Sequence, residues 1–186
     1  MSGGRNDAAL IAAVLHGNDA AFGELVERYQ YAYVRYATRM LSSRAQAEDV
    51  VQDSFVAAWE RLDGCEKPER FAAWCFRIVR NRCHDRLRSP ESRSDGAEPL
   101  DSLPHPGAGP ATALERVELR DAIAAALRGL SPLLREAFVL YHEDALTYPE
   151  MARRLETSES AVKMRVKRAR DALQEQLSAW ADHVPT

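Results

Sequence analysis

Two runs of basic side chains at helical spacing hold most of the chemistry this sequence offers. Lys163, Lys167 and Arg170 recur at intervals of four and three, flanked by Met164 and Arg168. Val162, Val166 and Ala169 form an apolar stripe on the same stretch. With that stripe packed inward, the cations share the outward face of a helix. Such a helix fits the major groove of DNA, where Lys and Arg reach base edges and phosphates. Ser158 and Ser160 stand at its start, where a hydroxyl and unpaired backbone N–H groups suit a phosphate. In the second run, Arg77, Arg80, Asn81, His84 and Arg88 also recur at three and four and are expected on one face. Asn81 is the base-reading type among them, because its amide both donates and accepts. Phe71 and Trp74 lie nearby, but their spacing fits the core. For both runs the plain alternative is a solvated basic face.

A third set is acidic: Asp49, Gln52 and Asp53, with Glu60 two turns on. Like charges at i and i+4 cost about 0.2–0.5 kcal/mol. A pair kept at that cost suits a basic partner surface; a solvated face is the competing reading.

The elements that position these sets read as helices throughout, with no strand pattern. A short helix, Ala8–His16, is ended by Gly17. Asn18 or Asp19 is placed to cap the next, whose stripe runs Phe22, Leu25, Tyr29, Tyr33, Tyr36, Met40. A third helix, about 45–62, buries Val51, Phe55, Ala58 and Leu62. A fourth starts near Pro68 and carries Phe71, Trp74, Ile78, Cys83 and Leu87 inward. Further on, Thr112 and Glu115 form a capping-box pattern before a helix over Leu114–Leu127. Ser131-Pro132 opens another helix to about 142. Thr147 and Glu150 form a second capping box, leading a short helix to Leu155. After a turn at Glu156-Thr157 a long helix runs from about Ser158 to Ala179. A short helix, a tight turn and a longer basic helix are the helix-turn-helix signature.

Between the two halves lies 89–113, SPESRSDGAEPLDSLPHPGAGPATA, with five of the nine prolines and three of the nine glycines. Such a stretch cannot sustain a helix, and its length suits a flexible tether. The expected class is therefore all-α: two small helical domains, 1–88 and 114–186, joined by a Pro/Gly-rich linker. The net charge of −3 argues against nucleic acid only until its distribution is seen. Arg77 to Arg88 holds five arginines and one acid, Lys163 to Arg170 five basic residues and no acid. Glu48 to Glu60 holds four acids and no basic residue. Phosphate binding follows such local clusters, not the total. No apolar run is long enough to cross a bilayer, and the N-terminus lacks a leader pattern, so direct membrane insertion is not expected and the cytoplasm is. Cys65, Cys75 and Cys83 are an odd number without a secretion signal, which argues against a disulfide framework.

Three segments together resemble the extracytoplasmic-function (ECF) sigma factors of bacterial RNA polymerase. AEDVVQDSFVAAWERL (47–62) is similar to the polymerase-binding helix of that family. RFAAWCFRIVRNRCHDRLR (70–88) is similar to its promoter-melting helix, with an Asn-x-x-x-Asp-x-x-Arg pattern at Asn81, Asp85 and Arg88. Residues 127–173, ending in AVKMRVKRARDAL, resemble its C-terminal domain and recognition helix. The resemblance spans nearly all of the chain outside the linker. It implies an alternative sigma factor, not an enzyme, with no cofactor and no metal. Asp49, Gln52 and Asp53 would meet the clamp helices of core polymerase. The loop Asp63 to Glu69, including Lys67, would help form a pocket for a flipped base of the −10 element. Arg77, Arg80, Asn81, His84 and Arg88 would hold the non-template strand. Lys163, Met164 and Lys167 would face bases of the −35 element, with Arg165 and Arg168 nearer the backbone and Ser158 and Ser160 at the helix start. An anti-sigma factor is an implied partner, beside core polymerase and promoter DNA. Two departures stand out. The family often has Gly where this chain has Glu156, and a small polar residue or Arg where Lys163 and Met164 stand.

Two rivals remain at this stage. A polymerase-independent regulator would need a dimer interface or a sensor domain, and the N-terminal half shows neither a ligand-pocket nor a phosphoacceptor pattern. A metal protein or enzyme built on Cys75, Cys83 and His84 would need paired ligands, and no C-x-x-C exists.

Overall fold

The computed structural model describes residues 6–89 and 113–181. Every regular element among them is helical, in two compact units. The first unit holds α1 (Asp7–Leu15), α2 (Ala20–Leu41), α3 (Arg44–Glu60) and α4 (Phe71–Arg88); the second holds α5 (Ala113–Gly129), α6 (Pro132–Phe138), α7 (Tyr148–Arg154) and α8 (Glu159–Ala181). The all-α expectation holds. Most of the linker expected over 89–113, and Thr112 of the first capping box, lie outside the described residues.

Local chemistry sets the ends of the first helices. The Asn6 side chain accepts from the Ala9 N–H at 2.8 Å and caps α1. Gly17, at φ 90, turns the chain out of it. The turn into α2 differs from expectation: Asp19 closes it with its backbone carbonyl, accepting from Phe22 N–H at 3.0 Å, and not with its side chain. Ser43 caps α3 by accepting from Gln46 N–H.

α2 packs on both α3 and α4, and aromatic rings fill the space between them. Phe22 meets Phe55 and Phe71 edge-on, with centroids 6.4 and 6.3 Å apart, and Tyr36 meets Phe76 at 4.8 Å. Tyr33 is buried, and its hydroxyl donates to the Ala72 carbonyl at 2.8 Å. A buried phenol needs such a partner, so this bond also fixes α2 against the start of α4. Ser54 is fully buried and donates to Val50 O within α3.

α4 is set differently from the expected register. Pro68 opens a separate 3₁₀ turn, Pro68–Arg70, and the α-helix begins at Phe71. Its buried residues are Phe71, Cys75, Phe76, Val79, Cys83 and His84, while Trp74, Ile78 and Leu87 are half-buried. Both stripes satisfy helical spacing. Packing against α2 and α3 selects the stripe that includes Cys75, a small apolar side chain, whereas Cys83 belongs to both. Burial pushes the Cys75 thiol up to about 12, which keeps it protonated and unreactive.

In the second unit Leu127, Leu130, Ala169 and Leu173 join α5 to α8. Arg135, only 2% exposed, donates from Nε to the Leu127 carbonyl at 2.8 Å, and so satisfies an acceptor in the last turn of α5. Burial, with Arg128 nearby, lowers its pKa to about 10, and it stays charged at neutral pH. After α6 the helix widens into a π turn over Val139–Glu143. The second capping box forms as expected: the Thr147 N–H and hydroxyl donate to the Glu150 carboxylate at 2.8 and 2.6 Å.

Between α7 and α8, Glu156 sits at φ 50, the left-handed region. The backbone therefore keeps the conformation suited to the glycine that Glu156 replaces. A non-glycine residue there costs about 1–2 kcal/mol, and the extra freedom of glycine in the unfolded chain offsets about 0.4–1 of that. Glu156→Gly is expected to stabilise the second unit by roughly 0.5–1 kcal/mol, read by urea denaturation. A destabilised variant would show that Glu156 makes a contact worth more than its backbone costs.

Candidate nucleic-acid interface

The buried stripe of α8 is the one expected. Val162, Val166 and Ala169 are 0–1% exposed. Lys163, Met164, Lys167, Arg168 and Arg170 consequently stand in solvent, and Arg165 is half-buried. Met164 is 51% exposed, an apolar side chain kept on an otherwise cationic face. Ser158 precedes the helix and accepts from Ala161 N–H at 3.2 Å. Its hydroxyl lies 3.1 Å from that of Ser160. With its oxygen used as a cap, Ser158 retains an O–H to donate, and the first-turn N–H groups point outward beside it.

Two cations of this face are already held within the protein. The Lys163 ammonium lies 5.6 Å from the centre of the Tyr148 ring and 4.0 Å from the Glu159 carboxylate. The Arg170 guanidinium lies 5.1 Å from the centre of the Tyr141 ring, and its Nε donates to His142 Nε2 at 3.1 Å. Tyr141 and Tyr148 stack on each other at 4.9 Å, only 16° from parallel. These aromatic residues were not singled out in the sequence. The signal was present as aromatic residues on both sides of the helix-turn-helix start, but their meeting depends on the π turn.

In the first unit, Arg77, Asn81 and Arg88 are exposed and Arg80 is half-buried. His84 is the correction. It is 5% exposed, within the core side of α4, so it does not share this face. Asp85 occupies the exposed position instead, 3.6 Å from Arg88. The outward row thus reads Arg77, Asn81, Asp85, Arg88, at steps of four, four and three. The error is one residue of helical phase: 84 and 85 are both compatible with spacing from 81 and 88, and only packing chooses.

Between α3 and α4, Asp63 and Lys67 are exposed, while Leu62 and Cys65 are buried and pin the loop from beneath. On α3, Asp49, Gln52, Asp53 and Glu60 are exposed. Asp53 lies 3.8 Å from Arg82 of α4, which relieves part of its repulsion from Asp49. Beside this acidic row runs an open groove of about 720 Å³ between α2 and α3, lined by Phe22, Val26, Tyr31, Val56 and Trp59 among others. Tyr31 is 77% exposed. Sequence reasoning missed this apolar rim, although Val56 and Trp59 stand three apart and off the buried stripe of α3.

The contact between His142 and Arg170 is pH-sensitive. Burial first, and Arg170 second, lower the His142 pKa from its ordinary 6.5. Neutral His142 accepts from Arg170, whereas the protonated ring has no acceptor to offer. A group depressed in the folded state gives stability that is present above its unfolded pKa and lost as pH falls through the folded value. Melting of the second unit is expected to weaken below about pH 6.5 more in the native chain than in His142→Gln. Parallel pH profiles would remove this role.

Comparison with known proteins places both units in one family. The Sigma-70 region 2 family matches residues 25–93, and the Sigma-70 region 4 family matches residues 120–173. A two-region sigma-70-type architecture therefore covers both units. The RNA polymerase sigma factor CnrH of Cupriavidus metallidurans is 37% identical over 182 residues, 93% of this chain and 95% of that protein. The ECF RNA polymerase sigma-E factor of Escherichia coli is 31% identical over 183 residues, again 93% and 95%. Among solved structures, CnrH in complex with the cytosolic domain of CnrY matches with a TM-score of 0.62 and 34% identity, covering 93% of this chain and 97% of that one. RpoE of Bartonella quintana, in complex with the anti-sigma factor NepR, matches with a TM-score of 0.54 and 30% identity over 84% of this chain and 96% of that one.

The chain belongs to the ECF sigma factors of RNA polymerase. It is an alternative sigma factor, acting in transcription initiation by directing the polymerase to promoters. Among the described residues no helix is long and apolar enough to cross a membrane.

Proposed function

We propose that the work is divided among the three faces described above. Asp49, Gln52 and Asp53 of α3 bind core polymerase. Asp63 and Lys67 in the loop, with Arg77, Arg80, Asn81 and Arg88 on α4, take the non-template strand of the −10 element. Ser158, Ser160, Lys163, Met164, Arg165, Lys167 and Arg168 take the −35 element. The observation that carries this reading is the exposed cationic row on α8, set behind a tight helix-turn-helix and fixed by a fully buried stripe. It supports duplex reading in a way that a merely solvated basic helix, without the turn, would not.

No covalent chemistry is required of this chain. Flipping a base costs a few kcal/mol, which a pocket for that base offsets. Stacking and single-strand contacts add about 1–3 kcal/mol per base. The protein traps DNA that has opened, and the polymerase supplies the remaining contacts. This reading places the chain in the cytoplasm with the polymerase. It also gives it an anti-sigma partner in the free state, covering the same acidic and basic faces. The solved relatives, bound to the cytosolic domain of CnrY and to the anti-sigma factor NepR, support that part.

Two outcomes test the division. Reversing both charges, Asp49→Lys with Asp53→Lys, is expected to weaken co-purification with core polymerase by tenfold or more while the melting temperature changes little. The Asp53–Arg82 pair is exposed, and such pairs contribute about 0–1 kcal/mol. Unchanged co-purification would remove the acidic face from the interface. Lys163→Ala is expected to blunt discrimination among −35 sequences, since a good base contact discriminates by about 1–3 kcal/mol. Run-off transcription on cognate and singly altered −35 promoters reads this directly. Equal responses of the native chain and the variant would mean that Lys163 does not read bases.

A further inference from the structure

The aromatic pair behind α8 has no place in the division just given. A lysine on a recognition helix is a poor reader while its four-carbon stem is free, because binding must then immobilise it. In this chain Lys163 is not free. Its ammonium lies over the Tyr148 ring at 5.6 Å, with Glu159 at 4.0 Å one turn earlier on α8. A cation within about 6 Å of a ring centroid is attracted by the ring's negative face. The ring is itself fixed. Tyr148 is the first residue of α7, directly after Thr147, whose N–H and hydroxyl donate to Glu150. The same ring is stacked on Tyr141 at 4.9 Å. Tyr141 comes from the π turn and lies 5.1 Å under Arg170, which also donates to His142. One continuous row, Lys163, Tyr148, Tyr141, Arg170 and His142, therefore joins the π turn, α7 and α8. Phe138 backs His142 at 4.5 Å and closes the row from behind.

We propose that Tyr148 and Tyr141 are positioning residues for −35 recognition. Their stacked rings hold the Lys163 ammonium and the Arg170 guanidinium over the reading face before DNA arrives. The role rests on the assignment of α8 to the −35 element. Tyr148 acts through Lys163. Its ring limits the arc the ammonium sweeps, so the cost of ordering that side chain is met on folding and not on binding. Glu159, 4.0 Å away, attracts the same ammonium.

The test is a double-mutant cycle in the full chain, with run-off transcription by reconstituted polymerase on promoters singly altered in the −35 element. Tyr148→Leu removes the ring, Tyr148→Phe keeps it, and Lys163→Ala removes the cation. Tyr148→Leu is expected to reduce discrimination against altered −35 sequences by about two- to fivefold, the range of an exposed cation–ring contact. Tyr148→Phe is expected to restore that discrimination. In the background of Lys163→Ala, adding Tyr148→Leu should change nothing further. A structural role alone would instead lower melting temperature and polymerase affinity for every promoter alike, without altering discrimination. Additive effects of Tyr148→Leu and Lys163→Ala, or a Tyr148→Phe variant as poor as Tyr148→Leu, overturn the proposal. If Lys163→Ala itself leaves discrimination intact, the −35 assignment fails first, which the cycle reports separately. Should Tyr148→Leu not fold, NMR of the native chain decides: the Lys163 ε-methylene protons must be shifted upfield by the ring, and unshifted protons overturn the proposal.

Discussion

The rotational setting of α8 is the constraint on which the second unit depends. Val162, Val166 and Ala169 are sealed against the rest of that unit. Burying each valine is worth about 1.5–3 kcal/mol. Turning the helix by one residue, 100°, would bring those side chains into water and put lysines in their place. Small domains are stable by only about 5–15 kcal/mol in total, so no such rotation survives. The outward direction of Lys163, Lys167 and Arg170 is thus a by-product of packing. Arg135 supports the same setting from below, because its buried bond to the Leu127 carbonyl fixes α6 against the end of α5.

The first unit uses the same logic with larger side chains. α3 gives its apolar side to α2 and α4 and leaves Asp49, Gln52 and Asp53 in water. Because α2 carries Phe22, Tyr33 and Tyr36 into the core, the surface of α3 is held rigidly by interlocked rings. A partner meeting α3 finds a formed acidic row beside an apolar groove, with Trp59 at its edge. Charge can orient an approaching basic surface, while the groove offers area to bury. α4 lies behind this arrangement and shows Arg77, Asn81, Asp85 and Arg88 to solvent. The acidic row of α3 and the mostly basic row of α4 are therefore built on neighbouring helices that share one core.

What the sequence disclosed were the features that neighbouring residues determine. The Thr147–Glu150 capping box, the Gly17 stop and the α8 stripe are all local and took their expected form, as did the α2 stripe except at Tyr29, which is half-buried and donates to Asp7. The misreadings arise where tertiary packing chooses between patterns that are equally periodic. Spacing alone admits His84 or Asp85 on the outward row of α4. The structure takes Asp85, because Cys83 and His84 are both buried on the core side of α4. Asp53 looked like an uncompensated charge because Arg82 reaches it from another helix. The Tyr141–Tyr148 stack was invisible because a π turn, which no simple periodicity announces, brings the two rings into register. Glu156 shows the converse case, where an unfavourable residue adopts the backbone that the turn requires.

The separation of the described residues into two helical units also bears on how the protein is made. In the first unit the main packing partners, α2, α3 and α4, lie on helices adjacent or nearly adjacent along the chain. Chains rich in such near-neighbour contacts form them in microseconds to milliseconds. Synthesis, at about 5–20 residues per second, is far slower. The helices up to Arg88 can therefore close their core while the ribosome is still adding α8. The acidic row and the groove beside it are complete on the nascent chain before the cationic helix exists.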